Sequence, residues 1–154
     1  MNTPPAVRFS YQNDDYDQAR EIVCRKLTEA VSTLIPLPKE IVIRVANLGN
    51  STHGSTAVEF RFRNRVSINS TLTLAELPEV LVHELIHINQ IHTGVLKASR
   101  TGTYFWNDQP YKIKVGMLTF EQHQQLPWEV DVLDKQERIL TEALDYAMKH
   151  VDSK

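Results

Sequence analysis

Residues 79–94 read EVLVHELIHINQIHTG. Leu81, Val82, Leu85, Ile86, Ile88 and Ile91 make a helix here apolar on nearly every side, the pattern of a helix buried inside its domain. Into that run the chain sets His83, Glu84 and His87. Taking two imidazoles and a carboxylate out of water is costly unless something compensates them. Any fold of this chain therefore has to bring a partner to this helix. Residues four apart lie one above the other on an α-helix, so His83 and His87 face the same way. Glu84 sits about 100° round the axis from His83, beside the pair rather than in line with it.

This spacing is the H-E-x-x-H pattern. Two neutral imidazoles can hold one Zn²⁺, the ion draws the pKa of a coordinated water toward 7, and the glutamate is close enough to take its proton. Six His and eleven Glu in 154 residues give only about 0.016 such matches by chance. The blander alternative is a pair of histidines bonded to backbone with Glu84 turned to water. The apolar surroundings argue against it, because a metal is the compensation such a helix needs.

Composition narrows the rest. With 17 Lys+Arg against 19 Asp+Glu and a pI near 6.3, the chain lacks the basic excess of sequence-independent nucleic-acid binders and gives no support for such a partner. Its one cysteine, Cys24, excludes an internal disulfide or a multi-cysteine zinc knot and reads as a buried thiol in a helix. A charged segment followed by an apolar signal core is absent, as is an uncharged apolar run of about 18 residues. A soluble, cytoplasmic protein with no membrane partner is the expectation. The length suits one domain over residues 1–154.

Residues 1–13, with Pro4 and Pro5, read as an extended leading segment. From Asp14 to about Leu34, apolar residues recur at three- and four-residue steps behind an acidic start, which predicts an amphipathic helix. A β-branched strand spans 40–48, and GNSTHGST after it reads as a loop. Alternation through 57–70 predicts a hairpin with one wet face and a turn at Asn64-Arg65. The H-E-x-x-H helix begins near Leu74 or Pro78 and stops at Thr93, with Gly94 just past its end. Two short strands flank a turn at 107–110, and a long helical stretch closes the chain, Pro127 marking a new first turn or a kink.

Catalytic zinc generally has three protein ligands and one open position. His92 is the nearest candidate for the third. However, H-E-x-x-H-x-x-G-x-x-H would require Gly at position 90 and His at 93, where this chain has Gln90 and Thr93. His92 also lies about 140° round the helix from His87. Glu129, in LPWEVDV at the start of the last long helix, is the stronger candidate, its backbone pinned by Pro127 and Trp128. Asp131 and Asp134 are alternatives, or partners that orient a histidine N–H. An ordinary acidic first turn, favoured by the helix dipole, would also explain Glu129 and Asp131.

VHELIHINQIHTG, then GTYFWNDQPY, then LPWEVDV, over about residues 79–134, resembles the small single-domain metallopeptidases of phages and prophages, which are of the gluzincin (HExxH + Glu) type and distantly similar to SprT-like proteins. The resemblance implies His83, His87 and Glu129 as zinc ligands and Glu84 as general base. It also implies an α+β, minimal zincin-like fold: a small mixed β-sheet packed on an N-terminal helix and the H-E-x-x-H helix, with a C-terminal helix carrying the third ligand and an edge strand beside the cleft. Two features depart from the group. Asp131 stands where an Ala often follows P-W-E, and the cysteine zinc ribbon often attached to SprT-like proteins is missing.

Zinc peptidases also need a donor for the developing oxyanion. Tyr104, Tyr111 and His123 lie between the two ligand helices, with Tyr104 and Tyr111 the catalytic candidates. Phe105 and Trp106 are candidate pocket residues or a cap on the core. The strand at Val66–Asn69 offers an edge to an extended peptide. His53, His150 and the Arg61, Arg63 and Arg65 patch read as solvated surface. The expected function is zinc-dependent hydrolysis of a peptide or protein substrate, in the host cytoplasm if the chain is phage-encoded. The alternatives are a binding or assembly protein with a structural or vestigial metal site, and, third, a DNA-associated protease.

Overall fold

The computed structural model describes residues 3–13, 16–49, 54–56, 64–112 and 118–149. The expected strand at 57–63 with Arg61 and Arg63, together with Asp14, Asp15, His53, residues 113–115 and His150, lies outside them. The chain is α+β, with four helices and two small sheets among the described residues.

Strand β1 (Ala6–Tyr11) leads into helix α1 (Gln18–Ser32), then strands β2 (Glu40–Ala46), β3 (Gly54–Thr56) and β4 (Arg65–Asn69). Asp17 starts α1 by accepting from the Ala19 and Arg20 amides at 3.0 and 3.3 Å, which satisfies two donors that the first turn leaves open. The sheet order is β1-β2-β4-β3, parallel across the first three strands and antiparallel between β4 and β3. Its register lines Phe9, Ile43 and Val66 in one row and Tyr11, Val45 and Ile68 in the next. These rows face the helices, while Val42 and Arg44 between them are only half-buried.

Three sequence expectations change here. The leading segment is strand β1, whose partner β2 is reached only through α1. The loop after β2 contains β3, which pairs with β4 although its residues are turn formers. Arg65, expected in a turn, opens β4, and that strand has no wet face: Ser67 and Asn69 are buried along with Val66 and Ile68.

Helix α2 (Leu77–His92) lies against β3 and β4 and buries Leu77, Leu81, Val82, Leu85, Ile86 and Ile88. Pro78 occupies its first turn, where a missing N–H costs nothing, and Gly94 takes the left-handed φ of +81° just past its end. The second sheet is β5 (Leu96–Ala98), β6 (Thr103–Trp106) and β7 (Gln109–Lys112). The β6–β7 turn is tighter than expected: Asn107 and Asp108, at φ 49° and 65°, form it alone. Pro110 is tolerated in β7 because that strand is an edge among the described residues.

Pro127 begins a new helix rather than a kink. Helix α3 (Phe120–Gln124) is closed at its start by a reciprocal box between Thr119 and Gln122, and α4 (Pro127–Lys149) follows. Helix α4 packs on both α1 and α2. The main core, which includes Cys24, lies between these helices and the first sheet; a smaller one gathers round Leu96, Leu126 and Trp128. Burial pushes the Cys24 thiol up to about 12, so it stays protonated and inert.

Candidate metal centre

One turn apart on α2, the rings of His83 and His87 meet edge to face with centroids 5.0 Å apart. Glu129, in the first turn of α4, points its carboxylate at both. His87 Nε2 is 2.9 Å from Glu129 Oε1, and His83 Nε2 is 3.5 Å from Glu129 Oε2. Among the described residues, these three form a group whose donor atoms all lie within 4.8 Å of one another and that can hold a metal ion. Glu129 and His87 are 7% and 6% exposed, so neither charge has much water to fall back on.

The protonation balance follows from that burial. For His83, desolvation alone would lower the pKa, but the hydrogen bond to Glu129, the charge of Glu84 and the Gln136 amide outweigh it and hold the pKa at about 9. Desolvation of His87 is likewise overcome by Glu129 and Glu84, and its pKa also rises. Burial pushes Glu129 up, yet its bonds to His83 and His87 win and keep it well below the ordinary carboxylate range. The three groups thus form an ion cluster that a cation can enter by displacing protons.

Other atoms fix this geometry from behind. Gln136 Oε1 is 2.9 Å from His83 Nδ1, and Gln90 Oε1 is 2.8 Å from His87 Nδ1. Gln90 also donates to the Trp128 carbonyl and to Asp131 Oδ2, both at 2.9 Å. Neither glutamine was among the expected site residues. A signal was available for each: Gln90 lies three residues after His87, and Gln136 two helical turns beyond Glu129 on the same face of α4.

The group opens into a cleft of about 610 Å³, lined by Gly54 of β3, by Glu76 just before α2 and Glu79, Val80, His83 and Glu84 on it, by Phe120, His123 and Gln124 on α3, and by Glu129, Leu133 and Gln136 on α4. Glu84 is 5% exposed yet reaches this lining. His123 Nε2 comes within 3.7 Å of Glu129 Oε1.

The chain matches no family model, no curated protein and no solved structure.

The remaining candidates separate cleanly. Asp131 does not join the group: it accepts from Gln90 and pairs with Lys135 at 2.9 Å. His92 is exposed and outside it, as its helical angle implied. Tyr104 and Tyr111, expected as catalytic residues, do not line the cleft. They clamp Trp128 instead, Tyr104 stacked at 5.6 Å and Tyr111 edge-on at 5.7 Å. Their rings brace the residue next to Glu129 and so position the carboxylate indirectly. Trp106 packs into the same small core, and Phe105 is not part of the cleft lining either. No helix among the described residues is long and apolar enough to cross a membrane.

Proposed function

We propose that this chain is a zinc-dependent metallohydrolase of the gluzincin type, acting on peptide bonds. The observation that carries the reading is the convergence of His83, His87 and Glu129 on one point at the wall of a cleft that Glu84 also lines. Two imidazole nitrogens and one carboxylate oxygen are the donor set of many catalytic zinc sites, and they leave a coordination position for water or substrate. Bound there, Zn²⁺ would supply Lewis acidity, lowering the pKa of a water and polarising the scissile carbonyl.

The protein groups divide the remaining work. Glu84 takes the proton of the attacking water and delivers it to the leaving amine. His123, which lines the cleft within 3.7 Å of Glu129, is the donor assigned to stabilise the developing oxyanion, in place of Tyr104 and Tyr111. Strand β3 is the outermost strand of its sheet among the described residues, and Gly54 brings it to the cleft. An extended peptide can add to that edge by backbone pairing. A minimal zincin-like architecture, with a short mixed sheet above the H-E-x-x-H helix, accommodates all of these roles.

The test is hydrolysis of a mixed peptide library by the zinc-loaded chain and by Glu84→Gln. Turnover by the parent that falls at least ~10²-fold in the variant, with zinc content unchanged, supports the reading. Full activity in Glu84→Gln would overturn it, and zinc binding with no turnover on any peptide would leave a structural metal site as the better account.

A further inference from the structure

Gln90 is 2% exposed, an uncommon position for an amide, and all its polar atoms are engaged. Its Nε2 faces the Trp128 carbonyl and the Asp131 carboxylate, each at 2.9 Å. An ionised carboxylate and a carbonyl are acceptors only, so the amide can lie only one way round. Its Oε1 must then face His87 Nδ1, at 2.8 Å. An amide oxygen cannot donate, so the Nδ1 atom carries the proton and Nε2 is the nitrogen turned to Glu129 and to a metal. Asp131 is itself held by Lys135, which keeps the amide from turning over.

We propose that Gln90 is a positioning residue for the metal centre, fixing the tautomer of His87 through Oε1 and the start of α4, hence Glu129, through Nε2. The carbonyl it binds is that of Trp128, the group joined directly to the Glu129 nitrogen. One side chain on α2 therefore aligns two of the three donors, which come from different helices. A neutral amide does this without adding charge to the cluster, which a carboxylate in the same place would do. Gln136 makes the corresponding contact on His83, but among the described residues with one end only. The inference rests on the metal reading of the site.

Zinc affinity, measured by competition with a chromophoric chelator, tests it in the wild-type chain, Gln90→Leu, Gln90→Glu and the buried neighbour Ile88→Ala. Gln90→Leu is expected to weaken Zn²⁺ binding by about 10- to 100-fold. Gln90→Glu keeps an acceptor for His87 but loses both donors and confronts Asp131, so it fails to restore affinity. Ile88→Ala lowers stability and leaves affinity unchanged. Nitrogen-15 NMR of the zinc-loaded wild-type chain, which needs no variant to fold, is expected to show His87 protonated at Nδ1 and metallated at Nε2. Wild-type affinity in Gln90→Leu, or a His87 metallated at Nδ1, overturns the inference while the metal reading stands. A wild-type chain that binds no zinc overturns both.

Discussion

At His83 and His87 a proton and the proposed metal ion would compete for the same Nε2 lone pair. In the metal-free chain both imidazoles have raised pKa values, about 9 for His83 against an ordinary 6.5. Their contribution to stability is therefore fully present below 6.5 and is lost as the pH climbs through the raised folded values, about 9 for His83. Glu129 is depressed below its ordinary 4.5. Its contribution is present above 4.5 and is lost as the pH falls through the lower folded value. These three groups stabilise the metal-free fold most between about 4.5 and 6.5. Zinc binding has the opposite dependence, strengthening as the pH rises toward 9, because the imidazoles must first lose their protons. Calorimetric titration with Zn²⁺ at pH 7.5, in two buffers of different ionisation enthalpy, should show at least about one proton released per ion. A buffer-independent heat would mean the imidazoles are already neutral. That His83 and His87 share one face was legible in the sequence because helical periodicity fixes where residues four apart must point. The fates of Tyr104 and Tyr111 were not, since chain position between two helices does not say which face of a hairpin turns to Trp128.

Among the elements, β3 was the least legible and is placed by a single glycine. A Cβ at Gly54 would stand 2.8 Å from Val80 Cγ1, 3.2 Å from Glu84 Cγ and 3.2 Å from the Ser67 carbonyl. Only a residue without one lets the strand settle on α2 at the level of Glu84. Gly54→Ala should cost about 1–3 kcal/mol through overpacking, read as a lower urea midpoint with an unchanged slope. An unshifted midpoint would show that β3 can move away from α2 freely. The turn-forming composition around Gly54 hid the strand, because its pairing with β4 is decided by a partner outside the local pattern. Strand β1 was hidden likewise, its parallel partner lying beyond α1. Helix α2 was readable since apolar period, Pro78 and Gly94 mark it locally, and α4 since its apolar period begins at Pro127.

Across the whole molecule, the metal group joins α2 to α4, helices that the main core already packs together. An ion bound only by the folded chain stabilises it by mass action, by about 2.7 kcal/mol at a hundredfold excess over Kd. For a domain of this size that is a rise of roughly 5–10 °C in Tm. A Tm that ignores zinc would mean that the three donors do not close on it. The α+β class and the pairing of one helical H-E-x-x-H with a distant Glu were visible in the sequence, but the long-range bonds that align them were not. Stoichiometric zinc titration of the ligand variants tests the central claim most directly. One ion per chain is expected for the parent and for His92→Ala, with Asp131→Ala weakened yet still stoichiometric, and loss of high-affinity binding in His83→Ala, His87→Ala and Glu129→Ala. Binding that survives Glu129→Ala but disappears in Asp131→Ala or His92→Ala would contradict the account.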